Sequence, residues 1–134
     1  MGNKILPDTC AWIDFFRGTP SRMAEEIEAA LVQGEVATCG VVLFELLQGI
    51  KNPREEALML NAFQAIEHLE MTSRLWINAG RLSSQLRKKG QTLPLSDIII
   101  ATLALENSYS LLTIDRHFDG IAGLSVVNQK QSSG

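Results

Sequence analysis

The sequence is short of the residues that mark several other classes of protein. It has two cysteines and two histidines in 134 residues, so it predicts neither a disulfide framework nor a zinc site of ordinary Cys/His spacing. No apolar run approaches the roughly 18 to 20 residues of a membrane helix, and the first residues show no signal-peptide pattern. We therefore expect a cytoplasmic protein in which Cys10 and Cys39 are small, buried, free thiols.

Positive charge is also scarce. Twelve lysines and arginines stand against fifteen aspartates and glutamates, which gives a formal net charge of −3. Proteins that hold nucleic acid by charge alone are usually basic, so this balance disfavours a passive nucleic-acid-binding module. It does not disfavour a nuclease, because a carboxylate site adds negative charges of its own and bound divalent cations reverse the local sign.

The remaining composition is that of an ordinary globular protein. Hydrophobic residues make up 46% of the chain and charged residues 20%, and the length suits one domain. Neither a repeat nor a linker is visible in the sequence. We expect a single domain over residues 1–129 and a flexible C-terminal tail of small, polar residues over 130–134.

Short apolar segments alternate along the chain with segments of helical periodicity. The strands are predicted at residues 5–6, 35–38, 67–71, 110–114 and 124–127. Between them, apolar residues recur at intervals of three and four, which predicts helices. This alternation indicates a parallel sheet with helices on both faces, and therefore the α/β fold class.

Four acids adjoin segments that should be buried. Asp8 and Asp115 each follow a predicted strand, Glu45 interrupts an apolar run, and Asp97 precedes three isoleucines. Burying an ionised carboxylate without a partner is costly, so each of these acids requires compensation.

Three kinds of compensation are open at this point. Pairing with lysine or arginine has weak support, because no basic residue lies within the same apolar runs. Helix capping would explain Asp8 and Asp97 but not Glu45, which falls in the middle of a helix. A shared metal would explain all four if the fold gathers them in one crevice, and oxygen ligands with few histidines favour Mg²⁺ or Mn²⁺ over zinc. On spacing alone, a shared site and separate structural roles stay equally open.

The segments around these acids resemble those of the VapC-type PIN-domain ribonucleases. A strand-end aspartate followed by a short aromatic-rich helix, and then three acid-bearing segments, are found at residues 5–18, 41–49, 93–102 and 111–118. The segments occur in the order that the family has and span nearly the whole chain. Pro7 departs from the pattern, because a β-branched residue is more usual there, and we expect incomplete strand pairing at that point.

The resemblance implies a PIN-like three-layer sandwich with a central, mostly parallel twisted sheet between helices. It implies a metal-dependent endoribonuclease, the toxin of a VapBC toxin–antitoxin pair, whose Mg²⁺ or Mn²⁺ is held by Asp8, Glu45, Asp97 and Asp115. Asp8 and Asp97 are the strongest candidates for direct coordination. Metal-activated water would leave a 5′-phosphate and a 3′-hydroxyl. The implied partners are an RNA substrate, a VapB-like antitoxin and a second copy of the chain, with no membrane.

Residues near the acids have two interpretations each. The hydroxyls that are candidates for supporting the ligands belong to Thr9, Ser96 and Thr113. Asp119 is either a fifth acid or a turn residue before a glycine, and Arg116 either binds a phosphate or pairs with a nearby acid. His117 is either an RNA contact or a surface residue. Aromatics near Asp8 are expected in the core or at a partner interface, where they would suit a groove that receives an antitoxin segment.

Two other functions compete with this one. An aspartate followed by threonine at a strand end is faintly similar to haloacid-dehalogenase-like phosphatases. That chemistry requires a second aspartate where this chain has Cys10, and a later lysine that is missing near the last acids. An inactive PIN-like scaffold that binds RNA without cutting it is disfavoured, because all four acids are present. A scaffold should show little thermal shift with Mn²⁺.

Overall fold

The structure is a computed structural model that describes residues 4–18 and 20–128. The domain end expected at residue 129 and the tail expected over 130–134 lie outside the described residues. The strands of the described part are β1 (Ile5–Pro7), β2 (Ala37–Cys39), β3 (Glu67–Leu69), β4 (Ser110–Thr113) and β5 (Val126–Asn128). Its α-helices are α1 (Thr9–Arg17), α2 (Arg22–Gln33), α3 (Gly40–Gln48), α4 (Pro53–Phe63), α5 (Ser73–Lys88) and α6 (Leu95–Asn107). A 3₁₀ helix follows β4 at Arg116–Gly120.

All strand pairings of the described residues are parallel, as predicted. Strand β4 lies between β1 and β5, while β2 pairs with β3 in a separate two-stranded sheet. A single bridge between Ile5 and Val36 joins the two sheets. Helices α1 and α2 pack against β1, and α6 packs against β4. The predicted α/β fold class, a three-layer sandwich around a mostly parallel sheet, is confirmed.

Pro7 explains why the sheet divides. The backbone N–H of Asp8 donates to Leu112 in β4 (3.1 Å), whereas the N–H of Ile5 donates to Glu35 on the other side (2.8 Å). Alternate residues of a parallel strand bond to opposite neighbours, so the nitrogen of residue 7 faces the β2 side. Proline has no N–H to donate there. The ladder from β1 towards β2 therefore stops after one bridge, which is the incomplete pairing that the sequence predicts.

Short polar side chains begin most of these helices. Asp8, Ser21, Asn52 and Thr72 each accept a hydrogen bond from a backbone N–H in the first turn of α1, α2, α4 and α5 respectively. Such caps satisfy donors that have no partner inside the helix. Helix α1 ends at Arg17 and is capped by Gly18, whose φ of 74° is a left-handed conformation that glycine adopts without steric cost. Asp8 is thus placed by a strand end and a helix start together.

The core is apolar and continuous through the described residues. Trp12 is buried in an aromatic cluster, with ring centroids 4.8 Å from Phe63 and 5.8 Å from Phe15 and Phe16. Helix α6 is buried around most of its circumference from Ile98 to Ala104, which fixes the direction of its first turn. Among the described helices, none combines the length and the apolarity that crossing a bilayer requires.

Candidate functional site

Two of the four predicted site residues lie at neighbouring strand ends. Asp8 follows β1 and Asp115 follows β4 by two residues. In the parallel pairing Pro7 lies opposite Leu112, so both carboxyl ends open on the same edge of the sheet. Strand β1 has β4 on one side and the first residues of the β2 segment on the other. Open α/β sheets bind ligands at such a point, outside the carboxyl ends of the strands.

The other two acids reach this edge from helices. Asp97 lies in the first turn of α6. Glu45 lies in the middle of α3, which packs against both α1 and α6. All four acids line one cleft of about 500 Å³, together with Thr9, Cys10, Ile100, Ile114 and Arg116. The structure therefore brings together the four residues that the sequence singled out.

Asp8 is the most constrained of the four. The residue is 7% exposed, and both of its carboxylate oxygens accept hydrogen bonds. Oδ1 accepts from the Cys10 thiol (2.8 Å) and from the backbone N–H of Ala11 (3.2 Å), and Oδ2 accepts from the Thr113 hydroxyl. These donors fix the orientation of the carboxylate before any ligand arrives.

Two threonines form hydrogen bonds with Glu45 and with the backbone of Asp115. The Thr9 hydroxyl donates to Glu45 Oε1 at 2.5 Å, which ties the first turn of α1 to α3. The Thr113 oxygen also accepts the backbone N–H of Asp115 at 2.9 Å. Of the three hydroxyls expected to support the acids, these two do so, while Ser96 makes no side-chain hydrogen bond within the described part of the chain. Supporting bonds of this kind orient ligands in metal sites.

The charges of the cleft act on each other. Burial raises the pKa of Asp97 above its ordinary value, and the negative charges of Asp115, Asp8 and Glu45 raise it further, against a lowering by His117. Burial likewise raises the pKa of Asp8, and Asp115 adds to the effect, although the three hydrogen bonds to its carboxylate oppose it. The site therefore holds more negative charge than its own cations balance.

Two groups in this region did not stand out in the sequence. Cys10 is half-buried rather than buried, lines the cleft and donates to Asp8, and its pKa is raised to about 12, mainly by burial and then by the charge of Asp8. His117 lies with Nδ1 2.9 Å from Asp115 Oδ1 and 3.7 Å from Asp97 Oδ2. The sequence left it as either an RNA contact or a surface residue, and it does not show the approach of His117 to Asp97 because that approach depends on how α6 and the 3₁₀ helix pack.

Arg116 and Asp119 pair with each other rather than with the four acids. The Nε atom of Arg116 is 3.2 Å from Asp119 Oδ2, and the arginine side chain is 64% exposed at the rim of the cleft. Asp119 does not line the cleft, which agrees with a turn residue more than with a fifth acid. The guanidinium of Arg116 is in a position to meet an anionic ligand that enters from solvent.

The donor set fits a hard divalent cation. Carboxylate oxygens converge on an open cleft, and burial and then the charges of the neighbouring acids raise the pKa of Asp97. The lysine and arginine side chains of the described residues form no ion pair with any of the four acids. A divalent ion would supply the missing positive charge with the oxygen ligands that Mg²⁺ and Mn²⁺ prefer. Asp97, Asp115 and His117 also offer donor atoms that all lie within 4.8 Å of one another.

Comparison with known protein families and sequences gives a consistent result. The family model described as "PIN domain" matches residues 5–124. The chain is 26% identical over 125 residues to the ribonuclease VapC11 of Mycobacterium tuberculosis, covering 90% of this chain and 93% of that protein. It is 29% identical over 119 residues to the ribonuclease VapC1 of Methanocaldococcus jannaschii, covering 87% of this chain and 80% of that protein.

Solved structures share the fold over the same extent. The DNA-bound VapBC structure from Salmonella typhimurium aligns with a TM-score of 0.81 at 22% identity, over 96% of this chain and 99% of the matched chain. A toxin–antitoxin complex from Klebsiella pneumoniae aligns with a TM-score of 0.68 at 25% identity, over 94% of this chain and 98% of the matched one. Each alignment thus covers nearly all of this chain and nearly all of the matched chain.

Proposed function

The chain belongs to the PIN-domain family, and on that premise we propose that it is a divalent-metal-dependent endoribonuclease, the toxin of a VapBC-type toxin–antitoxin pair. The observation that carries the proposal is the convergence of Asp8, Glu45, Asp97 and Asp115 on one cleft. Relatives matched over most of their length are named as VapC ribonucleases, and these names support RNA as the substrate. We propose the cytoplasm as the place of action, as the sequence led us to expect. The relatives lend no support to a phosphatase.

The four acids would hold the ion, and the groups around them would hold the acids. When bound, Mg²⁺ or Mn²⁺ supplies Lewis-acid chemistry: it makes water a nucleophile at neutral pH and offsets charge that develops on a phosphate. The chain's own part is to keep Asp8 oriented through Thr113 and Cys10, and Glu45 through Thr9. A site that is ordered in advance spends no free energy on reorganisation during the reaction.

Substrate contact would begin at the rim of the cleft. Arg116 is exposed there, and a guanidinium recognises a phosphate through two parallel hydrogen bonds. Ile114, with 46% of its surface exposed, lines the same cleft and offers an apolar face beside it. The acids would otherwise repel the phosphate backbone of RNA, so we expect binding of RNA to require the metal.

The test is cleavage of a panel of structured and single-stranded RNAs by the purified chain, with Mg²⁺ or Mn²⁺, with EDTA, and with the Asp97→Asn variant in parallel. We expect cutting that requires metal, disappears with EDTA and disappears in the variant, with 5′-phosphate and 3′-hydroxyl ends. A folded chain that neither cuts any RNA nor binds Mn²⁺ would overturn the proposal in favour of an inactive scaffold.

A groove beside the cleft supports the antitoxin part of the proposal. It has a volume of about 470 Å³, shares Glu45 with the cleft, and is lined mainly by apolar side chains of α1, α3, α4 and the loop between α3 and α4, among them Ile13, Phe16, Ile50 and Met59. Apolar grooves with exposed anchors are typical of sites that receive a partner helix. Related folds are seen in VapBC complexes, and we propose that this groove receives the antitoxin.

The antitoxin proposal can be tested without disturbing the acids. Expression of the chain should arrest growth, and co-expression of the protein encoded by the adjacent gene should relieve the arrest. Ile13 is 39% exposed, so Ile13→Glu should leave the fold and the cleavage intact and abolish both relief and co-purification. Relief that survives this variant would place the partner elsewhere. The homodimer that the resemblance implies stays a prediction, to be checked by the mass of the purified chain in solution.

A further inference from the structure

The 3₁₀ helix after β4 places the side chain of His117 beside Asp115 and Asp97. Asp115 precedes this helix, and its Oδ1 atom accepts the backbone N–H of His117 at 2.8 Å. The tight turn also places the imidazole Nδ1 atom 2.9 Å from the same oxygen and 3.7 Å from Asp97 Oδ2. His117 therefore lies between two of the acids that would hold the ion, although one acid comes from a strand end and the other from α6.

The three donors are close to the spacing that a shared ion requires. One donor atom from each of Asp97, Asp115 and His117 lies within 4.8 Å of the other two. Two ligand atoms that each lie roughly 2.1 Å from an ion are at most about 4.2 Å apart. A small rotation of the side chains would bring the donor atoms from within 4.8 Å to within this distance of one another. The His117 side chain is 60% exposed, so most of the imidazole faces solvent, where side chains change rotamer readily.

We propose that His117 is a nitrogen ligand of the divalent ion, together with Asp97 and Asp115. The inference rests on the proposed nuclease site and adds to it the nature of the metal. Imidazole nitrogen suits Mn²⁺ and the later divalent metals, whereas Mg²⁺ prefers an all-oxygen shell with several waters. The site would therefore select Mn²⁺ over Mg²⁺ more strongly than four carboxylates alone.

A histidine in this place has two simpler roles. It could serve only as a hydrogen-bond donor to the Asp115 carboxylate, or only as a contact for RNA. Neither role puts a nitrogen on the ion. A measurement of the ion's ligands in the absence of RNA therefore separates the proposal from both alternatives.

The experiment is pulsed electron paramagnetic resonance of Mn²⁺ bound to tag-free protein, which detects a directly coordinated ¹⁴N nucleus. The chain has only two histidines, and the other one, His68, lies on β3 with its Nε2 atom 3.0 Å from the Phe63 carbonyl oxygen. His68→Gln is therefore a matched control that removes an imidazole outside the cleft. We expect a ¹⁴N coupling in the wild type and in His68→Gln, and its absence in His117→Gln.

Affinity gives a second readout that does not depend on cleavage. His117→Gln should weaken Mn²⁺ binding at least about tenfold, because loss even of a residue that only supports a ligand commonly costs that much, and should change Mg²⁺ affinity much less. His68→Gln should change neither. Calorimetric titration of the three proteins with each metal measures the ratio directly.

The outcomes distinguish the inference from the function on which it rests. Mn²⁺ binding that is lost in Asp97→Asn but shows no ¹⁴N coupling would overturn the role of His117 and leave the nuclease site intact. Equal weakening of Mn²⁺ and Mg²⁺ binding by His117→Gln would also overturn it. If the wild type binds neither metal, both the inference and the proposed function fail.

Discussion

The hydroxyl of Thr113 donates to the carboxylate of Asp8, although 105 residues separate them in the chain. Thr113 is fully buried on β4 and Asp8 ends β1, so this bond joins the two central strands at the edge where the acids meet. The same oxygen accepts the backbone N–H of Asp115. One hydroxyl thus sets the positions of two candidate ligands.

Thr113→Val should therefore destabilise the protein by about 1–3 kcal/mol, the range for leaving a buried hydrogen-bonding group without its partner. Thr102→Val is the matched control, because Thr102 is also buried but bonds only to the carbonyl of Ile98 within its own helix. We expect its cost to be about 1 kcal/mol or less. Urea unfolding of both variants measures the difference, and an equal cost would contradict the role assigned to Thr113.

Asp8→Asn should leave the fold intact and reduce cleavage at least about 100-fold, as loss of one electrostatic group in an active site commonly does. The asparagine oxygen can still cap α1 at Ala11, while its amide can meet the Thr113 oxygen. Asp14→Asn is the control, since Asp14 lies on the same helix outside the cleft and accepts from Ser21. Undiminished cleavage by a folded Asp8→Asn protein would refute the assignment.

Asp97→Asn should stabilise the metal-free protein at neutral pH. The pKa of Asp97 is raised in the folded state, so the folded chain holds its proton in a window where the unfolded chain has already lost it. Stability therefore falls as pH rises from the ordinary aspartate value through the raised pKa, and stays lower above it. The variant lacks this penalty and should therefore melt at a higher temperature than the wild type.

Thermal unfolding in EDTA at several pH values checks this prediction. The advantage of Asp97→Asn over the wild type should be largest at neutral pH and shrink towards acid pH. Saturating Mn²⁺ should reverse the order, because the wild type gains binding free energy that the variant loses. An advantage that grows towards acid pH would show that the charge of Asp97 is not the cause.

Tyr109 allows a test of the electrostatics remote from the cleft. It is the only tyrosine in the chain, and burial, the hydrogen bond from its hydroxyl to Glu67 and the charge of Glu67 raise its pKa above the ordinary value. The folded chain should keep the phenol protonated above about pH 10, and stability should fall there because only the unfolded chain ionises.

Absorbance of phenolate against pH follows this single group. We expect its ionisation to coincide with unfolding in the wild type and to begin at lower pH in Glu67→Gln, which keeps a hydrogen-bond acceptor but removes the charge. Ionisation at the ordinary pKa in a folded wild type would mean that Tyr109 is open to solvent.

Much of the architecture could be predicted from the sequence, because the strand ends are marked by residues that are neighbours in the chain. Asp8 and Asp115 were expected at strand ends, because each directly follows a short apolar run in the sequence. Other contacts depend on packing between distant segments. The bonds from Thr9 to Glu45 and from Thr113 to Asp8 span 36 and 105 residues, so the sequence named these hydroxyls as candidates but could not pair them.

The bounds of the short strands and the position of Cys10 also depend on contacts that the local sequence does not show. The third strand was predicted to run to residue 71 but ends at Leu69, and the fifth was predicted from 124 but begins at Val126, because the partner strand decides where a short strand stops. Cys10 was expected to be a buried thiol. Its place beside the cleft follows from the direction of the first turn of α1, which the cap at Asp8 fixes.

The proline of β1 has a consequence for how the molecule opens. Because one bridge joins the two sheets at Ile5 and Val36, the backbone between them forms a seam with few shared hydrogen bonds. Opening free energies differ between parts of a protein according to such bonding. Amide protons of β2 and β3 should therefore exchange with deuterium sooner than those between β1 and β4. The part of the molecule that carries Glu45 should open locally while the part that carries Asp8 and Asp115 remains folded.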